Sequence, residues 1–300
     1  MKESKLLAQA GLCTNTLIWG GTFTLVKSSL ADVSPMVFVS SRFVLASIVM
    51  LPFFAASVRQ ANFLQFRQAT ILGIYLYIGF ITQTVGLMTT TATKSAFITG
   101  TFVIFTPIFQ TILERRIPSR ANIAAIAVAL AGVVFLASKG STLLGFFSEM
   151  GSGFTLGDFL TLICAVSYAL YIVYLDMISD GVDYKFLTYW QIIVTAILSL
   201  ISIPVMHLSG IELIRFTPSP LVIGSVLYTS LFATILTTAL QTKFQRAVSP
   251  TRASLIFSME PIFAAVFAFI ILSERISIFG YIGSGLIISG VLISELFSKD

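Results

Sequence analysis

Two ionisable residues stand inside long apolar stretches: Arg42 in "MVFVSSRFVLASIVMLPF" and Glu260 in "LIFSMEPIFAAVFAFIIL". On insertion scales a charge near the centre of a membrane helix costs about 2.5–3.5 kcal/mol. Such residues therefore face a bundle interior, find a partner or mark a pathway. Arg42 has two readings. It satisfies carbonyls or snorkels, or its planar fork receives a substrate carboxylate. Glu260 has three. Pro261 lacks an N–H and frees carbonyls in the preceding turn, which a protonated carboxyl would satisfy. The carboxyl would otherwise take up and release a proton, or touch a bound small molecule directly. Whether Arg42 and Glu260 pair is left open by the sequence.

Polar and aromatic stripes accompany these charges. Asn15, Trp19 and Thr22 recur at i, i+4, i+7, one face of a helix. Shifted by 149 positions, their counterparts are Cys164, Tyr168 and Tyr171. The same shift pairs Arg42 with Gln191. Aromatic walls with a few polar groups suit a small-molecule cavity, so both stripes are expected to line one space. Further candidates are Tyr75 and Gln83, Thr99 on a face with Ser95, Thr106 and Gln110, and Tyr228 on a segment with Thr234, Thr238 and Gln241. Hydroxyl faces also glue helices together. A buried amide without a partner is costly, so the glutamines are the more telling. Glu260 is the proton-coupling candidate. No catalytic residue, metal ligand set or cofactor is expected.

The elements that hold these residues follow from composition. Of the 300 residues, 56% are hydrophobic and 10% charged, against about 25% charged in soluble domains. Such a chain cannot cover its surface with polar side chains, which places it in a membrane. Ten apolar segments have spanning length: Leu6–Val26, Met36–Ser57, Ala69–Met88, Ser95–Leu113, Ala121–Ser138, Leu156–Leu175, Phe186–Met206, Pro220–Leu240, Ala253–Leu272 and Ile276–Leu296. Each approaches the ~20 residues that cross a ~30 Å hydrocarbon core as a helix. None alternates as a barrel strand does. The first segment lacks a signal cleavage site and is read as a helix. Cys13 and Cys164 lie within spans and read as small core residues.

With the N-terminus inside, twelve Lys/Arg fall on the inner side, among them Lys2, Lys5, Arg115, Arg116, Arg120, Arg252 and Lys299. Five fall outside (Lys27, Lys94, Lys139, Arg215 and Arg275), and Arg42 stays within a span. The bias favours both termini inside, and the expected location is a bacterial inner membrane. The net charge of +5 comes with no dense basic run, so nucleic acid is not an expected partner.

The chain looks duplicated. "TATKSAF" (91–97) matches "TRASLIF" (251–257), and "ILERRI" (112–117) matches "LSERIS" (272–277), both at an offset of 160. "ALAGVVFL" (129–136) resembles "IISGVLIS" (287–294). A Gly- and Ser-rich connection, Lys139 to Thr155, separates units at 6–138 and 156–297. An odd number of helices per unit makes the second copy enter the membrane from the opposite side, as inverted repeats do in secondary transporters. The expected fold is all-α integral membrane, ten transmembrane helices as two inverted five-helix repeats.

The spacing, the paired Glu-Arg turns, "MEPIF" and the Arg of "SSRFVLA" resemble the EamA-type branch of the drug/metabolite transporter superfamily over essentially the whole chain. That resemblance implies a carrier of small metabolites, often amino acids or related compounds. The chain departs from the pattern where Gly100 and Thr101 stand in place of Glu260 and Pro261. The expectation is a secondary transporter working by alternating access, with a small-molecule substrate, lipid contacts and small-residue faces on helices five and ten (Gly280, Ser284, Gly285, Ser289) that admit a homodimer. No G-x-x-x-x-G-K-[ST] loop and no H-E-x-x-H motif occurs. The alternatives are a nucleotide-sugar-type carrier, a channel or a receptor.

Overall fold

The computed structural model describes residues 5–90, 92–137, 154–272 and 278–297. Residues 138–153, the second Glu-Arg turn through residue 277 and the termini with Lys2 and Lys299 lie outside them. Among the described residues every regular element is helical, and one isolated bridge joins Val33 and Phe216.

The elements are α1 Lys5–Gly20, α2 Thr22–Ser29, α3 Pro35–Val58, α4 Phe63–Gly86, α5 Ala92–Gly100, α6 Phe102–Glu114 and α7 Arg120–Ala137. They continue with α8 Leu156–Ser179, α9 Tyr184–Leu208, α10 Pro220–Ser230, a π-turn Leu231–Leu236, α11 Thr237–Phe244, α12 Pro250–Phe257, α13 Glu260–Leu272 and α14 Ile278–Phe297. Seven helical runs among the described residues are long and apolar enough to cross a membrane. Three expected spans fall short as single helices. α7 is shorter, α1/α2 is interrupted at Gly21, and α12/α13 is interrupted at Ser258 and Met259.

Local chemistry sets the starts and stops. Pro35, Pro220 and Pro250 each open a helix directly after a serine, where a missing N–H costs nothing. Ser219 and Ser249 accept the N–H of Val222 and Arg252, as N-caps do. Asn62 with Gln65, and Thr155 with Asp158, form capping boxes on α4 and α8.

α3 packs on α9, α7 on α14, and α4 on both α8 and α9. α1 packs on α11, α12 and α13, and α8 on α4, α5 and α6. Leu72, Phe43, Leu175, Leu187 and Ile192 are fully buried between these helices. The outer faces carry large apolar side chains: Ile48, Leu51 and Phe53 on α3, Ile197, Leu200 and Ile201 on α9, and Ile223 on α10 are all exposed. An apolar belt of this extent needs lipid around it. The protein is an integral membrane protein.

The small-residue face of helix ten matches the expected one in part: Gly280, Gly283, Ile287, Gly290 and Ser294 are buried and Ser284 is half-buried, whereas Gly285 and Ser289 are exposed. A Cβ on Gly132 would lie 2.6 Å from the carbonyl oxygen of Gly283, and one on Gly283 2.5 Å from that of Gly132. The two backbones meet because neither glycine has a side chain. This face is occupied within the chain by α7.

Polar contacts tie the loops at each end. At the end holding Asp32, Ser219 Oγ donates to Asp32 Oδ2 at 2.8 Å and Arg215 Nη2 to Leu30 O at 2.7 Å. There Lys94 Nζ sits 2.6 Å from Asp158 Oδ2, and Lys27 Nζ donates to the carbonyls of Leu87 and Thr90. At the end holding Lys5, Asn122 accepts from Ser294 Oγ at 2.6 Å, and Gln9 donates to Glu295.

Candidate functional site

The breaks in the helices surround one cavity. Pro261 offers no N–H to the carbonyl of Phe257, so α12 stops there and Ser258 and Met259 make a turn before α13 begins. Sequence reasoning expects a bent helix nine with Glu260 inside it. The structure instead ends one helix and starts another, with Glu260 as the first residue of α13. The break between α5 and α6 falls at Gly100 and Thr101, the positions that match Glu260 and Pro261 at the repeat offset. There Thr101 Oγ1 donates to Ile98 O at 2.6 Å. At the α1/α2 break Thr22 Oγ1 donates to Trp19 O at 2.8 Å.

The cavity holds about 630 Å³ of empty space with its open mouth included, of which about 60 Å³ is open to the centre of a water molecule. Seven expected residues line it: Trp19, Thr22, Arg42, Gln83, Tyr168, Tyr171 and Glu260. Leu76, Phe80, Phe102, Ile172, Ala233, Thr238, Gln241 and Phe257 complete the wall.

The other five expected residues stand outside the lining. Gln191 is buried behind Tyr171 and accepts its hydroxyl at 2.8 Å. Thr99 Oγ1 accepts from Gln83 Nε2 at 3.2 Å. Asn15 is fully buried and donates to Thr237 O at 3.0 Å, turned into α11 rather than the cavity. Tyr228 donates to Ile18 O at 2.8 Å and braces the end of α1. Tyr75 meets Tyr174 edge to face at 5.9 Å, further along the α4/α8 seam. Asn15 leaves the stripe because a deeply buried amide takes the carbonyl nearest to it, and that carbonyl lies on α11.

Arg42 does not pair with Glu260. Its Nε donates to Thr234 Oγ1 at 2.6 Å and its Nη2 to Ala233 O at 2.7 Å. The guanidinium carbon lies 4.3 Å from the centroid of the Phe80 ring, a cation–π geometry. Ala233 and Thr234 belong to the π-turn, whose wide spacing is common at functional sites. Trp19 Nε1 reaches the same turn, at 3.3 Å from Ala233 O and 3.2 Å from Thr237 Oγ1. The Glu260 carboxyl makes no hydrogen bond or ion pair among the described residues.

Tyr168 enters the cavity over Gly79, where a Cβ would lie 2.3 Å from the tyrosine ring, and packs edge-on to Phe80 at 5.7 Å. Trp19 packs edge-on to Phe257 at 5.3 Å. Trp19, Thr22, Phe80 and Gln83, toward the Asp32 end, are half-buried, whereas Tyr171, Ile172, Thr238 and Gln241 are buried. Beyond them, toward the Lys5 end, Thr251 Oγ1 donates to Gln110 Oε1 at 2.5 Å and Gln245 Nε2 to Ile172 O at 2.6 Å. The cavity thus opens toward the Asp32 end and is plugged toward the other.

Phe80, Phe257, Leu76 and Ile172 carry no sequence signal, being apolar residues in apolar helices. Adjacent Gly20 and Gly21, and Gly100 ahead of Thr101, were the available sign of the breaks.

Comparisons agree with this architecture. The model of the EamA-like transporter family matches residues 6–138 and again 155–296. An uncharacterized transporter of Archaeoglobus fulgidus is 31% identical over 97% of this chain and 87% of its own length. The uncharacterized transporter YyaM of Bacillus subtilis is 24% identical over 93% of this chain and 90% of its own. One solved crystal structure superimposes with a TM-score of 0.76 over 99% of both chains at 18% identity, which speaks for the fold alone. With two matches that together span nearly its full length, the chain belongs to the EamA-like transporter family.

Proposed function

We propose that this protein is a secondary carrier of a small amphipathic metabolite, of the amino-acid or related class, that works by alternating access. The observation that carries the reading is the cavity at mid-bundle, where the broken helices α1/α2, α5/α6 and α12/α13 and the π-turn meet. Discontinuous helices around a central site are a feature of secondary transporters.

In this reading the ten segments all span, as two inverted five-helix repeats. Helix contacts support it. α3 packs on α9 and α7 on α14, each a pair of repeat equivalents, and the contacts of α1 with α11, α12 and α13 answer those of α8 with α4, α5 and α6. Two separate matches to one family model support it as well. The plugged Lys5 end and the open Asp32 end describe one of the two states the cycle needs. Both termini face the cytoplasm of a bacterial inner membrane, and Glu260 couples transport to a proton.

Solute counterflow in proteoliposomes tests the reading. Vesicles loaded with one candidate metabolite should take up the labelled compound transiently and saturably. Uptake that rises linearly with concentration and shows no overshoot would mark a channel instead. In a pH series, Glu260→Gln should flatten pH-driven net transport while exchange persists. An unchanged pH profile in well-folded Glu260→Gln protein would eliminate the coupling role.

A further inference from the structure

The hydrogen-bonding groups of the cavity are unevenly committed. Most donors already have protein partners. Trp19 Nε1 is held by Ala233 O and Thr237 Oγ1, and the Tyr171 hydroxyl by Gln191. The Thr22 hydroxyl is held by Trp19 O. Gln83 spends an amide N–H on Thr99, and Gln241 one on Gln245. Arg42 gives one N–H from Nε and one from Nη2 to the π-turn and lays its guanidinium on Phe80, which leaves the Nη1 pair and the second Nη2 hydrogen.

Acceptors are the reverse. The carboxyl of Glu260 has no partner among the described residues, and the side-chain oxygens of Gln83 and Gln241 receive no hydrogen bond there. The ionisable group without a partner is therefore the carboxyl and not the guanidinium. The aromatic rings of Trp19, Phe257, Tyr168 and Phe102 line the same cavity. Aromatic faces attract cations, and a carboxylate beside them needs a donor-rich ligand. An alkylammonium supplies three N–H donors and a positive charge.

We propose that the cavity recognises an amine with an apolar body, its ammonium group set against Glu260 and its body against the aromatic wall, and that no carboxylate on the ligand is required. This rests on the carrier reading for its biological sense. It narrows the substrate to amines, and it assigns Arg42 to holding the π-turn instead of receiving an acid.

The test uses two probes of the same shape and opposite charge, phenethylamine and 3-phenylpropionate, with the purified full chain in detergent at neutral pH. A ligand that binds only the folded state raises the melting temperature by mass action. Phenethylamine should raise it in a saturable way, and 3-phenylpropionate should not. Glu260→Gln should weaken phenethylamine binding by about tenfold or more. Glu260→Asp, which keeps the charge, should weaken it less, with melting of both apo variants showing that they fold. Stabilisation by 3-phenylpropionate alone, by neither probe, or by phenethylamine equally in Glu260→Gln overturns the proposal. Counterflow of labelled phenethylamine and phenylalanine separates the two readings. Exchange of phenylalanine with no recognition of the amine keeps the carrier and removes the amine assignment. Saturable amine binding without exchange keeps the amine site and removes the carrier.

Discussion

Arg42 Nη2 lies 2.7 Å from the carbonyl oxygen of Ala233, so this buried arginine of α3 is anchored to the π-turn of the helix opposite it. Arg42 Nε adds a bond to Thr234 Oγ1. Arg42→Met removes both bonds and should cost about 1–3 kcal/mol, the usual range for losing hydrogen bonds to a charged group. Arg42→Lys, a point donor without the fork, should fall between wild type and Met. Thermal melts in detergent check the order. A Lys variant as stable as wild type would show that the two-point anchorage contributes nothing.

The closure toward the Lys5 end rests in part on one hydroxyl. Thr251 Oγ1 donates to Gln110 Oε1 at 2.5 Å, joining α12 to α6. Thr251→Val keeps the shape and removes the donor. If this bond holds the end shut, its loss shifts the equilibrium toward opening by about 1 kcal/mol. A cysteine at the neighbouring Ser254, fully buried here, should then react with a small thiol reagent roughly three- to tenfold faster. Cys13 and Cys164 are replaced beforehand. An unchanged rate removes the pair from the gate.

Two glycines on α14 should behave in opposite ways. A Cβ on Gly283 would stand 2.5 Å from the oxygen of Gly132 and 2.5 Å from the nitrogen of Leu136, both backbone atoms that cannot swing aside. Gly283→Ala should therefore cost about 1–3 kcal/mol through overpacking. Gly285 has nothing within 4 Å, so Gly285→Ala should be neutral or up to about 1 kcal/mol more stable. Melting both variants side by side checks the register of α14 on α7.

The orientation has a direct chemical test. Thr89 and Gln60 are exposed, Thr89 beyond α4 at the Asp32 end and Gln60 ahead of it at the Lys5 end. With Cys13 and Cys164 removed, an impermeant maleimide on intact cells should label Thr89→Cys and spare Gln60→Cys. The reverse pattern would place the termini outside.

How much of this was legible beforehand differs by kind of feature. Helices announce themselves because a span needs a long apolar run, and helix occupies most of the described part of each marked segment, with breaks at Gly21, Thr101, Ser258 and Met259. Trp19, Tyr168, Arg42 and Glu260 were visible because polar or bulky aromatic groups are conspicuous in such runs, and all four line the cavity. Phe80 and Phe257 were not, since an apolar cavity wall and an apolar lipid face are written with the same residues. Asn15 was assigned to the cavity on its spacing and Tyr228 on the polar residues that share its segment. Carbonyls on α11 and α1 claim them instead, and a spacing rule has no knowledge of a partner more than 200 residues away. The π-turn left no trace in residue types. It becomes visible only through Arg42 and Trp19, which both donate to it.

The loop before α10 offers a pH prediction outside the spans. Glu212 Oε1 accepts the backbone N–H of Met36 at 3.0 Å, in the strip where Val33 bridges Phe216. Burial there pushes the Glu212 carboxyl above its ordinary value, against the hydrogen bonds from Met36 and Ser34 that pull it down. A raised carboxyl means that the folded chain holds this proton more tightly than the unfolded chain does. By linkage its contribution is fully present below the ordinary glutamate range and is lost as pH rises through the folded value. Glu212→Gln keeps an acceptor for Met36 and removes the titration. The melting temperature of the variant minus that of wild type should therefore grow as pH is raised from about 4 toward neutral. A difference that stays flat, or shrinks with rising pH, would mean that the charged carboxylate is welcome where it sits.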